Sequence, residues 1–276
     1  MLSLRAPGVA AVAAALCFAV PSMASEVVGQ AVLIKTKVAG QSGPLSVKAP
    51  VHRNERISTS ASGLGQFLFR DGTKLAVGGG SSVVIDKFVF DNSSSVKKFS
   101  IKAAKGTFRW ISGGSDSSAY QIVTPAGTIG VRGTSFDFYV GPDGTTAIVL
   151  LSGAAKLCGA RRCKQLERRC DFVVAKRNGA VTDARRINRS IFSTLGNKRA
   201  LPFLSGAQQL TSAFGSSYGC GISVASAIRA PQDSSKRETA DRPDKPGRSN
   251  TPNTPNTPDR PDRPDKPDKP DPPSRP

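Results

Sequence analysis

The chain of 276 residues is poor in the residues on which most enzymes and metal sites depend. It contains one histidine, one tryptophan and three tyrosines, and its 20 acidic residues face 39 lysines and arginines. A serine triad needs a base and an orienting acid beside the nucleophile, and His52 is the one histidine that could serve as the base. The sequence also lacks a cluster of histidine, aspartate and glutamate with metal-ligand spacing. We therefore predict a protein that is not an enzyme and that carries no cofactor.

Long apolar runs are absent after the amino terminus. A membrane-spanning helix needs about 20 apolar residues, and no stretch beyond residue 24 approaches that length. The first residues resemble a secretory signal, with Arg5, an alanine-rich apolar run over 9–20, and the small residues Ser22 and Ala24. We expect cleavage after Ala24 and a periplasmic or secreted mature chain without a membrane span.

The carboxyl-terminal residues, 231–276, contain 13 prolines and lack leucine, isoleucine, valine and aromatic residues. A segment of this composition cannot form an apolar core. Proline at every third position favours an extended polyproline II conformation. We predict a disordered, proline-rich tail that serves as a spacer or as a docking ligand for a partner.

Positive charge is concentrated in residues 156–199, which carry 13 basic and 3 acidic side chains. Such a charge density attracts polyanions, and salt weakens the attraction. For an exported chain the expected partners are an envelope protein or an anionic glycan such as lipopolysaccharide, and nucleic acid is not expected. A solvated basic face without a dedicated ligand is the alternative. The predicted binding patch consists of Arg161, Arg162, Arg168, Arg169, Lys176, Arg177, Arg185 and Arg186.

Four cysteines remain once Cys17 is removed with the signal. An even number in an exported chain predicts two disulfides. Three pairings are open, and the sequence favours a short loop closed by Cys158 and Cys163 with a long loop closed by Cys170 and Cys220. A four-cysteine zinc site is the alternative, but the spacings lack the close paired ligands that are usual in such sites.

Short apolar runs with a period of two residues recur every 8–12 residues between residues 27 and 159. This pattern, with turns at Asp71-Gly72 and at 141–144, is typical of strands and hairpins. We predict an all-β fold, a sandwich or compact β roll of about a dozen short strands, with a disulfide-bearing irregular extension and the disordered tail. Short helices are expected around 190–195 or 206–214. The predicted core comprises Phe67, Phe69, Leu75, Val83, Ile85, Phe99, Ile101, Phe108, Trp110, Ile122, Ile129, Val131, Phe136, Phe138, Ile148 and Leu150.

The stretch 122–138, with the sequence IVTPAGTIGVRGTSFDF, is punctuated by three glycines and has a strand, turn, strand pattern. It offers no evident catalytic side chain. Within it, Arg132 is expected to pair with Asp137 or to cap turn carbonyls. The alternative role of Arg132 is bidentate binding of a carboxylate.

Several blocks, taken in order, resemble the FecR domain family, which is named for the ferric-citrate sensor regulators of bacteria. The resemblance covers roughly residues 50–157. The matching blocks are 53–57 with 59–63, 69–73 with Leu75, 105–109, 124–136 and the segment 144–153.

This resemblance implies an all-β extracytoplasmic domain used in sensing or protein contact. In the signalling members, that domain follows a cytoplasmic anti-sigma segment and one membrane span, whereas here we expect it to follow the signal directly. Transmission across the inner membrane is therefore not carried over to this chain. The predicted segments are a signal peptide (1–24), a FecR-like β domain (25–157), a basic cysteine-containing extension (158–230) and the tail (231–276).

The sequence as a whole favours a non-enzymatic binding or sensing module of the bacterial envelope. Two alternatives stay open at this point. One is a glycan-binding or adhesive module that uses the basic block 156–199. The other is an envelope hydrolase with an unrecognised site.

Overall fold

The computed structural model describes residues 25–91, 95–215 and 219–222. The predicted signal peptide, 1–24, and the predicted tail, 231–276, lie outside these residues. Strands dominate the described part of the chain, so the all-β prediction is confirmed. The strands are β1 (Val27–Lys35), β2 (Val38–Gly40), β3 (Gly43–Pro44), β4 (Pro50–His52), β5 (Arg56–Thr59), β6 (Leu64–Phe69), β7 (Lys74–Val77), β8 (Ser82–Asp91), β9 (Ser95–Ile111), β10 (Tyr120–Thr124), β11 (Gly127–Val140), β12 (Thr146–Cys158), β13 (Cys163–Leu166), β14 (Asp171–Ala175) and β15 (Arg185–Arg186).

Helical structure is short and lies mostly in the extension. The helices are α1 (Ile191–Thr194) and α2 (Pro202–Ser205), and 3₁₀ turns occur at Ser117–Ala119 and Ser212–Phe214. The helix expected around 190–195 is present as α1, whereas the region 206–214 holds one 3₁₀ turn. Among the described residues, no helix has the length and apolar character needed to cross a membrane.

All fifteen described strands belong to one hydrogen-bonded sheet that does not close into a barrel. Its main path runs β4-β1-β6-β7-β9-β10-β11-β12-β14-β15. Strand β9 also pairs with β8 and β11, and β13 pairs with β12. The named pairs are antiparallel except for β9 and β10, which are parallel. One strand can pair with several others because the long strands change direction along their length.

Strand β9 is longer than the sequence pattern suggests. The residues 99–103 and 107–111 read as two separate strands, but they belong to one strand of 17 residues. Gly106, with φ of 111°, links the two halves. The first half pairs with β10 and the second half pairs with β7 and β11. The same strand therefore contributes to two regions of the curled sheet.

A bend in β11 and β12 turns the sheet at the glycine-punctuated stretch. The register between the two strands shifts between Arg132 and Ser135, and Gly133 and Gly153 have φ of 54° and 74°. A Cβ atom at Gly153 would overlap the carbonyl oxygen of Gly133. The bend therefore requires glycine for both backbone conformation and close approach.

The hydroxyl of Thr134 bridges the two bent strands. It accepts a hydrogen bond from the amide of Ala154 at 3.1 Å and lies 2.7 Å from the carbonyl oxygen of Arg132. The carbonyl oxygen of Ala154 is a further close partner. One side chain thus satisfies backbone groups that the register shift leaves outside the ladder.

The main core lies inside the curled sheet. All sixteen residues predicted for the core belong to it, and each is at most 5% exposed. The ring of Phe99 lies 4.7 Å from those of Phe69 and Phe88 and 5.2 Å from that of Trp110. Period-two alternation therefore identified the buried face of the strands correctly.

The extension after Cys158 adds strands β13, β14 and β15 to the sheet. Two disulfides join Cys158 to Cys163 and Cys170 to Cys220, the pairing favoured by the sequence. The first closes the hairpin between β12 and β13. The second connects the start of β14 to the last described residues.

Residues 201–215, which we call the cover segment, lie over the outer face of the sheet. Phe203, Leu210 and Phe214 pack against Leu64 and Ala76 to form a separate small apolar cluster. Polar contacts also hold the segment in place. Thr211 donates to Gln66 Oε1 at 2.7 Å, Gln208 accepts from the amide of Gly79 at 3.1 Å, and Lys74 donates to Ala213 O at 2.9 Å.

The stretch 51–59 is divided into two strands in the structure. The sequence suggests a continuous strand over 51–59, but β4 and β5 are separated at Asn54, which has a left-handed φ of 64°. The two strands then pair with different neighbours, β4 with β1 and β5 with β2 and β8.

Candidate functional site

A concave basic groove crosses the outer face of strands β9 to β13. Its volume is about 660 Å³. Four of its lining side chains are cationic and none is acidic. The lining residues are Lys97, Lys98, Ser117, Ser118, Ala119, Tyr120, Gln121, Thr128, Gly130, Val131, Arg132, Ala154, Ala155, Lys156 and Gln165.

Strand register brings these residues together on one face. Gln121 lies opposite Gly130, Gly130 lies opposite Lys156, and Lys156 lies opposite Gln165. Residues opposite one another in neighbouring strands share a face of the sheet. Arg132 is two residues beyond Gly130 and therefore lies on the same face.

The cations of the groove are open to solvent. Lys98, Arg132 and Lys156 are exposed, and no ion pair involves any of the three within the described residues. Because no lining carboxylate offsets their charge, the groove has a positive potential that attracts anions.

Gly130 leaves space at the floor of the groove. The nearest heavy atom to a Cβ placed there is the carbonyl oxygen of Lys156, 4.0 Å away, and the backbone is not left-handed. A side chain would fit without strain and would project between the cations. The groove is therefore open partly because this position has no side chain.

A polar network beneath one wall holds the groove in shape. The phenol of Tyr120 donates to Asp71 Oδ2 at 2.8 Å, and Thr73 donates to the same oxygen at 2.7 Å. The amide of Ser115 donates to the Tyr120 oxygen at 3.1 Å. Burial raises the pKa of the Tyr120 phenol, so this side chain stays neutral and can donate to the carboxylate. The network joins the predicted Asp71-Gly72 hairpin to strand β10.

The expected pairing of Arg132 with Asp137 is wrong. Arg132 is exposed in the groove, whereas Asp137 is fully buried. Asp137 pairs instead with Arg109 of β9, its register partner. Arg132 and Asp137 lie on opposite sides of the bend at Gly133. The bend turns the Arg132 side chain away from Asp137.

All eight residues of the predicted basic patch are exposed. They occupy neighbouring turns and strand ends of the extension. The turn at Gly159 and Ala160 packs against Gly179, which brings Arg161 and Arg162 near the turn that follows Lys176 and Arg177.

A second part of the patch surrounds β14 and β15. Arg185 and Arg186 form β15, and Arg186 donates to the carbonyl oxygen of Arg169 at 2.9 Å. Arg168 pairs with Asp171 at 3.0 Å. These contacts bring Arg169 and Arg186 close together, and the Asp171 carboxylate partly neutralises Arg168.

Asp183 connects the two parts of the patch. A hydrogen bond from Lys164, the charge of that lysine, and the charges of Arg185 and Arg162 lower the pKa of the Asp183 carboxyl. Lys164 Nζ lies 2.5 Å from Asp183 Oδ1. The carboxylate thus sits among several cations and limits their mutual repulsion.

His52 lies beside Glu55 in a shallow pocket of about 430 Å³ that also includes Ser25 and Ser42. The imidazole Nδ1 is 3.4 Å from Glu55 Oε2, and the same oxygen accepts the His52 amide at 2.7 Å. The hydroxyl of Ser25 donates to Arg53 O at 2.7 Å. The Glu55 carboxylate closes a turn of the backbone. The Ser25 hydroxyl is directed to a backbone carbonyl.

One serine motif was not among the predicted sites. Residues 215–219, GSSYG, have Gly-x-Ser-x-Gly spacing around Ser217. In a nucleophile elbow this sequence lies between a strand and a helix. Here the preceding element is the 3₁₀ turn Ser212–Phe214, and residues 216–218 are outside the described part of the chain.

Metal-ligating residues do not cluster in the part of the chain that the structure describes. No group of three or more histidines, cysteines, aspartates and glutamates is placed to hold a metal ion there. The four cysteines that a zinc site would use are paired in disulfides.

The bend in β11 and β12, the long strand β9 and the four cations of the groove all lie in one segment of the chain. Residues 55–156 match the family model described as FecR protein. The predicted resemblance is therefore confirmed for the FecR domain, and it extends over nearly the range expected from the sequence blocks. The division of the chain at residues 24, 157 and 230 stays a prediction.

Two crystal structures of a candidate anti-sigma factor from Parabacteroides distasonis ATCC 8503 are similar to this chain. Both are 14% identical to it, with TM-scores of 0.40 and 0.39. The similarity covers 50% of this chain and 62% of each of those chains, which is less than two thirds of their length. No curated protein matches the chain.

Proposed function

We propose that this protein is a non-enzymatic regulatory sensing module that binds a partner protein through its basic extension. Support comes from the FecR domain at 55–156 together with the exposed cations of the extension. The observation that carries the proposal is the exposure of all eight residues of the basic patch on neighbouring turns and strand ends. An acidic protein surface would complement this patch.

We also propose an extracytoplasmic location. The two disulfides support it, because such bonds persist in oxidising compartments. The proposed envelope partner would therefore be a periplasmic or surface protein.

The test measures capture of envelope proteins by the purified chain at low and at high salt. The variant Arg161→Glu with Arg162→Glu reverses two charges of the patch. The control Lys35→Glu with Arg56→Glu reverses two exposed charges in β1 and β5. We expect capture of one defined protein by wild type and by the control, and its loss in the patch variant and at high salt. Equal capture by all three proteins would show that the patch is not the contact surface.

An anionic envelope polymer is the second candidate, favoured by the 13 basic and 3 acidic residues of 156–199. Purified lipopolysaccharide and an acidic glycan in the same salt series distinguish it from a protein partner. Binding to these polymers without capture of a defined protein would support the adhesive alternative.

Catalysis has a direct test in His52→Ala. We expect no turnover of envelope glycans, peptides or esters by the wild-type protein. Turnover that disappears in His52→Ala would overturn the non-enzymatic proposal and establish an envelope hydrolase.

A further inference from the structure

The basic groove has the properties of a ligand site that is independent of the patch in the extension. Its volume of about 660 Å³ lies in the range of small-molecule pockets. Its cations come from β9, β11 and β12, all within the FecR domain or at its end. A ligand in the groove would therefore contact the domain and not the arginines proposed for the partner protein.

The spacing of the cations indicates a ligand with more than one negative group. Arg132 lies opposite Ala154, two residues from Lys156, and diagonal neighbours of this kind are roughly 7–8 Å apart. Lys98 lies on β9, which is separated from the bent half of β11 by β10, so it is about 10 Å away at the usual strand spacing. One carboxylate cannot contact all three cations at once.

The side chains that line the groove suit phosphate groups. Lysines outnumber arginines three to one in the lining. Both residue types bind phosphate, lysine as a point charge and arginine through its planar fork. The amide of Gln121 and the hydroxyl of Thr128 add donors for further phosphoryl oxygens.

The groove lacks a platform for ring stacking. Tyr120, its one aromatic lining residue, is 3% exposed. A neutral sugar or a base would therefore gain little from the walls. We propose that the groove binds a ligand carrying two or more linked phosphate groups and that it recognises the phosphates rather than the group that bears them.

Titration calorimetry with inorganic tripolyphosphate and with orthophosphate tests this proposal. We expect tripolyphosphate to bind at least about tenfold more tightly than orthophosphate, because it contacts several cations at once. Affinity should fall as salt is raised. Citrate provides a polycarboxylate of comparable charge, and equal affinity for citrate would overturn the assignment to phosphate.

Two variants of different kinds locate the binding site. Arg132→Gln with Lys156→Gln removes two charges, and Gly130→Ile fills the floor without changing charge. We expect each to weaken tripolyphosphate binding at least about tenfold, while Lys35→Gln with Arg56→Gln leaves it unchanged. Unfolding midpoints close to wild type show that Gly130→Ile is folded. Unchanged binding in both groove variants would refute the site.

Binding to vesicles that contain a diphosphorylated lipid distinguishes a lipid headgroup from a soluble ligand as the source of the phosphates. Binding to tripolyphosphate alone indicates a soluble ligand, and binding to vesicles as well indicates a lipid headgroup. Binding to neither refutes the proposal. The charge reversal at Arg161 and Arg162 should leave tripolyphosphate binding intact, so failure of the partner proposal and failure of this one are distinguishable.

Discussion

Arg109 and Asp137 form a bidentate ion pair on adjacent strands of the sheet, beneath the cover segment. Arg109 Nε donates to Asp137 Oδ1 at 2.5 Å, and Nη2 donates to Oδ2 at 2.9 Å. Both side chains are 1% exposed. The remaining nitrogen, Nη1, donates to the carbonyl oxygens of Phe214 and Gly215. One buried arginine thus links β9, β11 and the cover segment.

This pair should be sensitive to loss of a single partner. Burial raises the pKa of the Asp137 carboxyl, while the charge and hydrogen bonds of Arg109 lower it. Removing one member leaves an uncompensated buried charge, which costs about 3–5 kcal/mol. We predict this loss in the free energy of unfolding of Asp137→Asn, measured by urea denaturation.

The double variant Arg109→Met with Asp137→Leu is the control for that measurement. It removes both charges and retains apolar volume, so it should be more stable than Asp137→Asn. A double variant less stable than the single one would show that the hydrogen bonds to the cover segment matter more than the buried charge.

The disulfide between Cys170 and Cys220 should stabilise the protein more than the one between Cys158 and Cys163. Their sequence separations are 50 and 5 residues. In the chain-entropy model these loops contribute about 4 and about 2 kcal/mol. We predict that Cys170→Ser with Cys220→Ser lowers the urea midpoint more than Cys158→Ser with Cys163→Ser.

Hydrogen exchange should separate local from global effects of these variants. Loss of the Cys170–Cys220 bond should speed exchange in the cover segment, 201–215, before it affects the core strands. Uniform acceleration across β9 and β11 would contradict a local tether.

Gly153 and Gly130 offer a matched pair in the same two bent strands. Gly153→Ala places a methyl group against Gly133 O at a φ of 74°, and left-handed backbone alone costs about 1–2 kcal/mol. Gly130→Ala enters open space and should change stability by less than about 0.5 kcal/mol. Thermal denaturation of both variants checks this contrast. A loss of stability in Gly153→Ala as small as that in Gly130→Ala would show that the bend tolerates a side chain.

Stability should decline at alkaline pH through Tyr120. The folded-state pKa of this phenol is raised by burial, and in the unfolded chain it is about 10. The contribution of the Tyr120 phenol to the free energy of unfolding is therefore fully present below about pH 10. It is lost as pH rises through the folded-state pKa. We predict that Tyr120→Phe costs about 2 kcal/mol at pH 8, because the bond to Asp71 is lost.

The difference in the free energy of unfolding between wild type and Tyr120→Phe should then become smaller above about pH 10. Urea denaturation of both proteins between pH 8 and pH 11 measures it. A difference that stays constant over this range would mean that the phenol is not the titrating group.

The local pattern of the sequence was enough to identify the β class, the core and the tight turns. Phe99 and Trp110 are buried because alternation in a strand places every second side chain on one face, which is a property of the backbone itself. Asp71-Gly72 forms the β6-β7 turn because glycine accepts the left-handed φ of 82° that the turn requires. These features depend on neighbours a few residues away.

The partner of Asp137 and the composition of the groove were decided by tertiary structure. Strand register brings Arg109 to Asp137, 28 residues away in sequence. Lys98, Arg132 and Lys156 lie close together because β9, β11 and β12 bend and present them on one face of the sheet. Alternation determines the side of the strand on which each residue lies. It does not determine which strands become neighbours, because that depends on long-range pairing and on where glycines let the sheet turn.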